Sequence, residues 1–343
     1  MMRIQKLMVF IGIVVAFSAC KPKFDVYDDY KDIVFAYGVF NIHETTHYFK
    51  IYKGFQTDEN IYDYARQMEW NKLYFDSLEV YLEERVNNEV RRTYPFDTTT
   101  AIPKDPGIFP SPLQILYKNR NPLTINTTST YRFVIKNKYS NENYQVYADA
   151  KMIGDFYITN PASSSNLDLT TSHGISCAFK NPDNGSAFEV YQVFKYIEVD
   201  KITHHVEKKS LRRKVSADFC QPGNSTKITH RIDHVYNLIG ATLEVNDQVV
   251  RYTDDRTCIE YEVWVCGASL ATYMKLNELN SATLGNKIDF SNFIAENKNA
   301  YGIFSSRNSS VRVYDIDSNS EDSLVQGQYT KHLGFKKWIE YVP

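Results

Sequence analysis

Glycine and proline are scarce, 14 and 11 of 343 residues. No sign of charge dominates: 39 Lys and Arg stand against 41 Asp and Glu, a formal net charge of −2, so no whole-protein field recruits nucleic acid or acidic substrates. No Gly-x-Ser-x-Gly elbow, Walker loop or Gly-x-Gly-x-x-Gly run occurs, and the familiar hydrolase, NTPase and dinucleotide signatures are missing. No Cys-x-x-Cys occurs, which argues against a zinc ribbon or thioredoxin-like site. What is present is a globular composition, 43% hydrophobic and 23% charged, with enough apolar material for one or two cores. The 26 Tyr and 20 Phe suit pleated, half-buried strands.

Arg3 and Lys6 precede the apolar run Leu7 to Ala16, the layout of a secretory signal. The run is shorter than the about 20 apolar residues of a spanning helix. Phe17-Ser18-Ala19-Cys20 then resembles the lipobox of bacterial lipoproteins, with Phe17 where Leu is usual. That resemblance implies cleavage after residue 19 and a diacylglyceryl thioether on Cys20. Residues 20–32, with Lys21, Lys23, Asp25, Asp28 and Asp29, read as a polar tether. With Cys20 lipidated, Cys177, Cys220, Cys258 and Cys266 remain, an even number compatible with two disulfides or with buried free thiols. Cys258 and Cys266 on one strand lie too far apart to pair.

Ile33 to Phe40 and Tyr48 to Tyr52 read as a hairpin, Asp58 to Trp70 as a short helix, and Ser77 to Glu83 as a strand ending at an Asn87-Asn88 turn. Residues 95–112 hold five of the eleven prolines and read as a long loop. Strands resume at Tyr131 to Lys136 and Tyr144 to Ala150, and residues 154–174 form the natural boundary. Beyond it, Ile175 to Phe179, Phe188 to Val199 and Cys258 to Cys266 read as strands, with shorter ones at Gly302 to Ser305 and Val311 to Ile316. Ile228, Ile232, Val235 and Ile239 share one helical face, which predicts a helix over 226–239 capped by Thr226 and stopped by Gly240. The expected fold is mainly β: two β-sandwich, immunoglobulin-like domains at 33–153 and 175–343 with one or two short helices.

His43-Glu44-Thr45-Thr46-His47 matches the HExxH string of zinc peptidases, whose chemistry needs both imidazoles on one helix face. Here the string falls between strands, and Lys50 and Lys53 stand where the longer form requires Gly and His, so the hairpin reading prevails. His230 and His234, at helical spacing on the predicted helix, could form half a metal site or be solvated. Asp315 to Glu321 alternates oxygen side chains like a calcium loop, yet Ser320 and Gln326 replace the required Gly and Glu. Lys208, Lys209, Arg212, Arg213 and Lys214 form a basic run that fits either a solvated strand or a phosphate-bearing surface. No catalytic residue, metal or cofactor is assigned on these grounds.

Asp29-Tyr30-Lys31-Asp32 leading into Val34 to Gly38, His47 to Ile51, Asp76 to Val80, and Gly302 to Arg307 together resemble a group of Bacteroidetes envelope lipoproteins sharing a domain of unknown function. The resemblance implies a largely β protein anchored in the envelope and transfers no site residue. The expected function is a non-enzymatic, lipid-anchored outer-membrane module. Through its sandwich edges and loops, above all residues 95–112, it would bind an envelope protein or a glycan, as an accessory to an uptake transporter, and it would not bind nucleic acid. The alternatives are an envelope hydrolase with a site of unfamiliar pattern and a structural assembly protein.

Overall fold

The computed structural model describes residues 33–55, 57, 59–107, 113–137, 145–170, 174–254, 257–282, 290–295 and 300–341. The segments expected as signal and tether, with Cys20, lie outside them. The protein is mainly β. The described strands and helices are, in order, β1 (Val34–Phe40), β2 (Tyr48–Lys53), α1 (Ile61–Gln67), β3 (Glu79–Val86), β4 (Glu89–Thr99), β5 (Leu116–Asn119), β6 (Thr130–Lys136) and β7 (Gln145–Lys151). They continue with β8 (Ile158–Asn160), β9 (Gly174–Lys180), β10 (Ala187–Asp200), β11 (Val206–Phe219), β12 (Ser225–Arg231), α2 (His234–Thr242), β13 (Val249–Thr253) and β14 (Ile259–Cys266). The last are α3 (Ala268–Ala282), β15 (Ile294–Ala295), β16 (Ala300–Tyr314) and α4 (Ser318–Gln326).

Thirteen strands form one sheet in the order β11-β10-β14-β16-β1-β2-β5-β4-β3-β6-β7-β15, with β13 on β10 beside β14. All its pairs are antiparallel except β1 with β16, which run parallel from Val34↔Ala300 to Phe40↔Ser306. The first half of the sheet curls until the end of β7 meets β16. There the Ser306 hydroxyl donates to the Lys151 carbonyl at 2.9 Å, and the Asn308 amide donates to the Gly154 carbonyl at 3.0 Å. The curl encloses an aromatic core: Phe49 stacks on Phe133 at 3.3 Å, and Phe40 and Phe304 meet edge to face at 5.3 Å. Alternation explains the burial, since Val80 and Leu82 of β3 point inward while Glu79 and Tyr81 do not.

The second core lies between β10, β14 and β16 on one side and the sheet β12-β9-β8 on the other. Ile259, Tyr261, Val263 and Val265, alternate residues of β14, are each fully buried there. Phe179 meets Phe188 across the layers at 5.5 Å. α2 and α4 complete this core through Val235, Tyr236, Ile239 and Leu324. Residues 154–174, expected as a linker, supply β8 and the buried Leu167 and Leu169, so apolar residues of the boundary are spent on packing.

Three expectations are corrected. The described residues hold four helices, not one or two, and α3 runs for 15 residues. The helix over 226–239 is a strand followed by a helix: Ser225–Arg231 pair with β9, and α2 starts only at His234. The apolar residues at 228, 232, 235 and 239 do recur at helical spacing, but β-branched Thr226, Ile228 and Thr229 fit a pleated ladder better. Pro95 to Thr99 are not loop but the end of β4, where Tyr81 pairs with Pro95 and Phe96 pairs with Asn119. The missing donor of Pro95 leaves room for its carbonyl to accept from the Arg120 backbone N–H at 2.9 Å.

Candidate functional site

The structure disperses the histidine pairs. His43 lies in the β1–β2 loop, exposed and ion-paired with Asp155 at 2.8 Å. His47 is 2% exposed, stacks on Phe40 at 4.1 Å, and neither ring nitrogen makes a hydrogen bond of standard geometry. Burial pulls its pKa down to about 4 against an opposing contribution from the Glu44 backbone. His230 sits on β12, not on a helix, with Nε2 2.8 Å from the Tyr261 hydroxyl. Burial, then the nearby Arg213 and His234, lower its pKa to about 4. His234 opens α2. Among the described residues no three His, Cys, Asp or Glu side chains gather as metal ligands.

The other sequence patterns have local roles. In the acidic stretch, Asp317 caps α4 by accepting the Ser320 N–H at 2.8 Å, and buried Glu321 accepts the Trp338 N–H at 2.5 Å. The basic run lies on the sheet-edge strand β11, and its charges are taken up across the ladder. Lys208 meets Asp254, Lys209 meets Glu198, Arg212 meets Glu262 and Lys214 meets Glu189. Arg213 turns inward to the Gln192 carbonyl oxygen at 2.7 Å. Such charged side chains also guard a 14-residue edge strand against further pairing. Cys177, Cys220, Cys258 and Cys266 are free, and burial pushes their thiols up, Cys266 to about 11 and Cys177 to about 12.

A groove of ≈ 900 Å³ lies on the outer face of β11, β10, β14 and β16, walled by α3. Strand register explains it. One row across the sheet reads Phe219, Ala187, Cys266, Arg307, and the next reads Ala217, Glu189, Trp264, Ser309. Small Ala187, Ala217 and Cys266 leave a low floor between taller neighbours. The chain then leaves β14 through Gly267 into α3, which sets Leu270, Ala271 and Met274 along one side. The Ser305 hydroxyl accepts the Leu270 N–H at 3.3 Å and fixes the start of that helix.

A connected polar and aromatic array lies beside this floor. The Arg307 guanidinium sits 4.9 Å from the Trp264 ring centre, and the Trp264 indole N–H donates to Glu262 at 3.1 Å. Glu262 also accepts from Arg212 at 2.8 and 3.0 Å, and the Arg212 guanidinium lies 3.2 Å from the Tyr191 ring centre. The Tyr191 hydroxyl donates to Glu189 at 2.9 Å, and Glu189 accepts from Lys214. Burial alone would raise the Glu262 carboxyl, but the hydrogen bonds from Arg212 and Trp264 hold it below the usual carboxylate range. Across α3 a smaller cavity of ≈ 210 Å³ is lined by Phe35, Tyr37, Tyr273 and Tyr301.

Of the groove residues, the sequence points to the basic run, to Cys266 as a thiol and to Arg307 as part of the Gly302 to Arg307 stretch, and it does not bring them together. One signal was present: with Ile259, Tyr261, Val263 and Val265 inward, Trp264 falls on the outward, half-buried side of β14 among Glu260 and Glu262, where a large aromatic side chain is unexpected.

No helix among the described residues is long and apolar enough to cross a membrane. No family model matches the sequence, and no curated protein matches it. Among solved structures, the chain is similar to the C-terminal globular domain of an oligosaccharyltransferase from Pyrococcus abyssi. The identity is 11% over 85% of this chain and 51% of that one, with a TM-score of 0.21. The chain thus spans about half the length of that neighbour, and a likeness this small carries no argument about function.

Proposed function

We propose that the protein is a non-enzymatic binding module of the bacterial envelope, of the kind its resemblance to Bacteroidetes lipoproteins implies. It is held in the outer membrane by lipid on Cys20 and engages its partner through the groove between α3 and the outer sheet face. The two apolar cores are read as two sandwich-type modules, and the groove lies over β16, the strand they share. The single observation behind the binding site is that groove, ≈ 900 Å³ with aromatic walls and preset ion pairs, near the upper end of the range for ligand sites. Its carboxylates Glu189 and Glu278 face Lys214 and Lys275. Charges already paired in this way suit recognition better than proton transfer. An uptake transporter is the partner class this location suggests.

The test is affinity purification of the tagged protein from crosslinked cells, read by mass spectrometry, beside Cys20→Ala and Trp264→Ala variants. The expected outcome is loss of membrane association and partner with Cys20→Ala. With Trp264→Ala the protein stays in the membrane and its partner is lost. A Trp264→Ala protein that retains the full partner set would remove the groove from the interaction.

A further inference from the structure

We infer that the groove takes a carboxylate-bearing oligosaccharide, a uronic-acid polymer segment, and that Arg307 is the residue that recognises its acid group. This rests on the groove being the binding site proposed above.

The first argument is charge. Of the cations lining the groove, Arg212 is committed to Glu262, Lys214 to Glu189 and Lys275 to Glu278. Arg307 is exposed, and among the described residues its contact is the Trp264 ring rather than a carboxylate. A guanidinium that rests over an indole, with no carboxylate beside it, keeps N–H donors free for a planar anion. Asp218, on the β11 side of the lining, accepts from the Phe219 backbone N–H and repels an acid there, so the cation without a carboxylate partner, Arg307, calls for a ligand with one carboxylate at its own end of the groove and neutral polar groups elsewhere. Sugar hydroxyls, which both donate and accept, match the paired Glu189–Lys214 and Glu278–Lys275 flanks.

The second argument separates a glycan from an acidic peptide. Extended peptides gain affinity by adding to a free strand edge. Within the groove floor β10 and β14 are already paired on either side, β10 with β11 and β14, β14 with β10 and β16, and the outer edge of β11 carries the charged side chains that guard it against an added strand. A peptide laid across that face would leave its own backbone groups unpaired. A sugar ring has no such requirement, and the aromatic and apolar surface of Trp264, Phe219 and Met274 accepts its C–H faces.

The experiment is isothermal titration calorimetry of the full-length protein in detergent with a short oligogalacturonate, its methyl ester and an oligoglutamate. The wild type is compared with Arg307→Gln, Arg307→Lys and, as a remote charge control, Arg66→Gln. The expected result is saturable binding of the oligogalacturonate that weakens about tenfold or more in Arg307→Gln. Arg307→Lys restores it in part, Arg66→Gln leaves it unchanged, and the methyl ester binds weakly to every form. Equal binding of the acid and its ester overturns the carboxylate assignment. So does an unchanged affinity in Arg307→Gln, tighter Arg307-dependent binding of oligoglutamate, or no binding of oligogalacturonate. Ester binding that Trp264→Ala abolishes would keep the groove as the site while removing the acid requirement, which separates failure of this inference from failure of the reading beneath it.

Discussion

His47 places a titratable ring where water cannot help it. Its side chain is 2% exposed and stacked on Phe40, and burial lowers its pKa to about 4. The unfolded chain binds a proton near the ordinary value of 6.5, so between pH 6.5 and 4 the unfolded state holds a proton that the folded state does not. Stability therefore falls as pH drops through that window, by an upper value of about 3 kcal/mol for this one group. His230, half-buried with its pKa also near 4, pulls in the same direction. The expectation is that His47→Leu, similar in size and without the two orphan nitrogens, flattens the pH dependence of the urea midpoint between pH 6.5 and 4. An unchanged slope would mean that His47 titrates in the fold at its ordinary value. Glu262 illustrates the opposite balance, since its hydrogen bonds outweigh its burial and keep the groove face charged.

Among the elements, β16 carries the tightest constraint. Gly302 adopts φ +130, and a Cβ there would lie 1.8 Å from the Ala36 carbonyl oxygen of the parallel neighbour β1. Gly223, at φ +78, has nothing within 4 Å of the same added atom. Gly223→Ala is thus expected to cost only the conformational penalty of about 1 kcal/mol. Gly302→Ala should cost distinctly more than the 1–3 kcal/mol typical of strain alone, because β1 must also move. Denaturant midpoints of the two variants decide it, and equal losses would sink the close-approach argument. Elements of this kind were partly legible in the sequence. The β1–β2 hairpin could be read directly; of the β3–β4 hairpin the strand β3 and its turn could be, since Asn87 and Asn88 both take positive φ, 51 and 66, as a two-residue turn requires, while β4 could not. Residues 226–239 misled because Ile228 of β12 stands at helical spacing from the apolar face that Val235 and Ile239 form on α2, and only pairing with β9 shows that the chain before Ile232 is a strand. The fusion of two expected short strands into the 15-residue β16 depends on partners more than 250 residues away in sequence, which no local pattern encodes. The groove is opaque for the same reason: Phe219, Ala187, Cys266 and Arg307 form a row only once register is fixed.

At the scale of the whole molecule, one strand belongs to both cores. β16 contributes Ala300 and Phe304 to the first apolar cluster and Tyr314 to the second, and it pairs with β1 along its first part and β14 along the rest. The groove sits over this shared strand, with Val39 of β1 and Arg307 of β16 both on its lining. Two cores joined only by a flexible tether would unfold separately, whereas a continuous ladder transmits loss of one core to the backbone pairing of the other. Phe133, stacked on Phe49 deep in the first core, is the place to test this, since Phe→Ala substitutions in cores cost about 3–5 kcal/mol. Hydrogen exchange of Phe133→Ala, read by mass spectrometry, should show lowered protection not only in β3 and β6 but also in β14, which Phe133 does not contact in the ladder. Protection of β14 at the wild-type level would mean that β16 yields at its middle and lets each core open alone. A groove lined from both would then change shape whenever the first core loosened, and ligand bound to Arg307 and Trp264 would in turn protect β1. If the cores are coupled, ligand should restore part of the β14 protection lost in Phe133→Ala. If they are not, it should stabilise only the strands it touches.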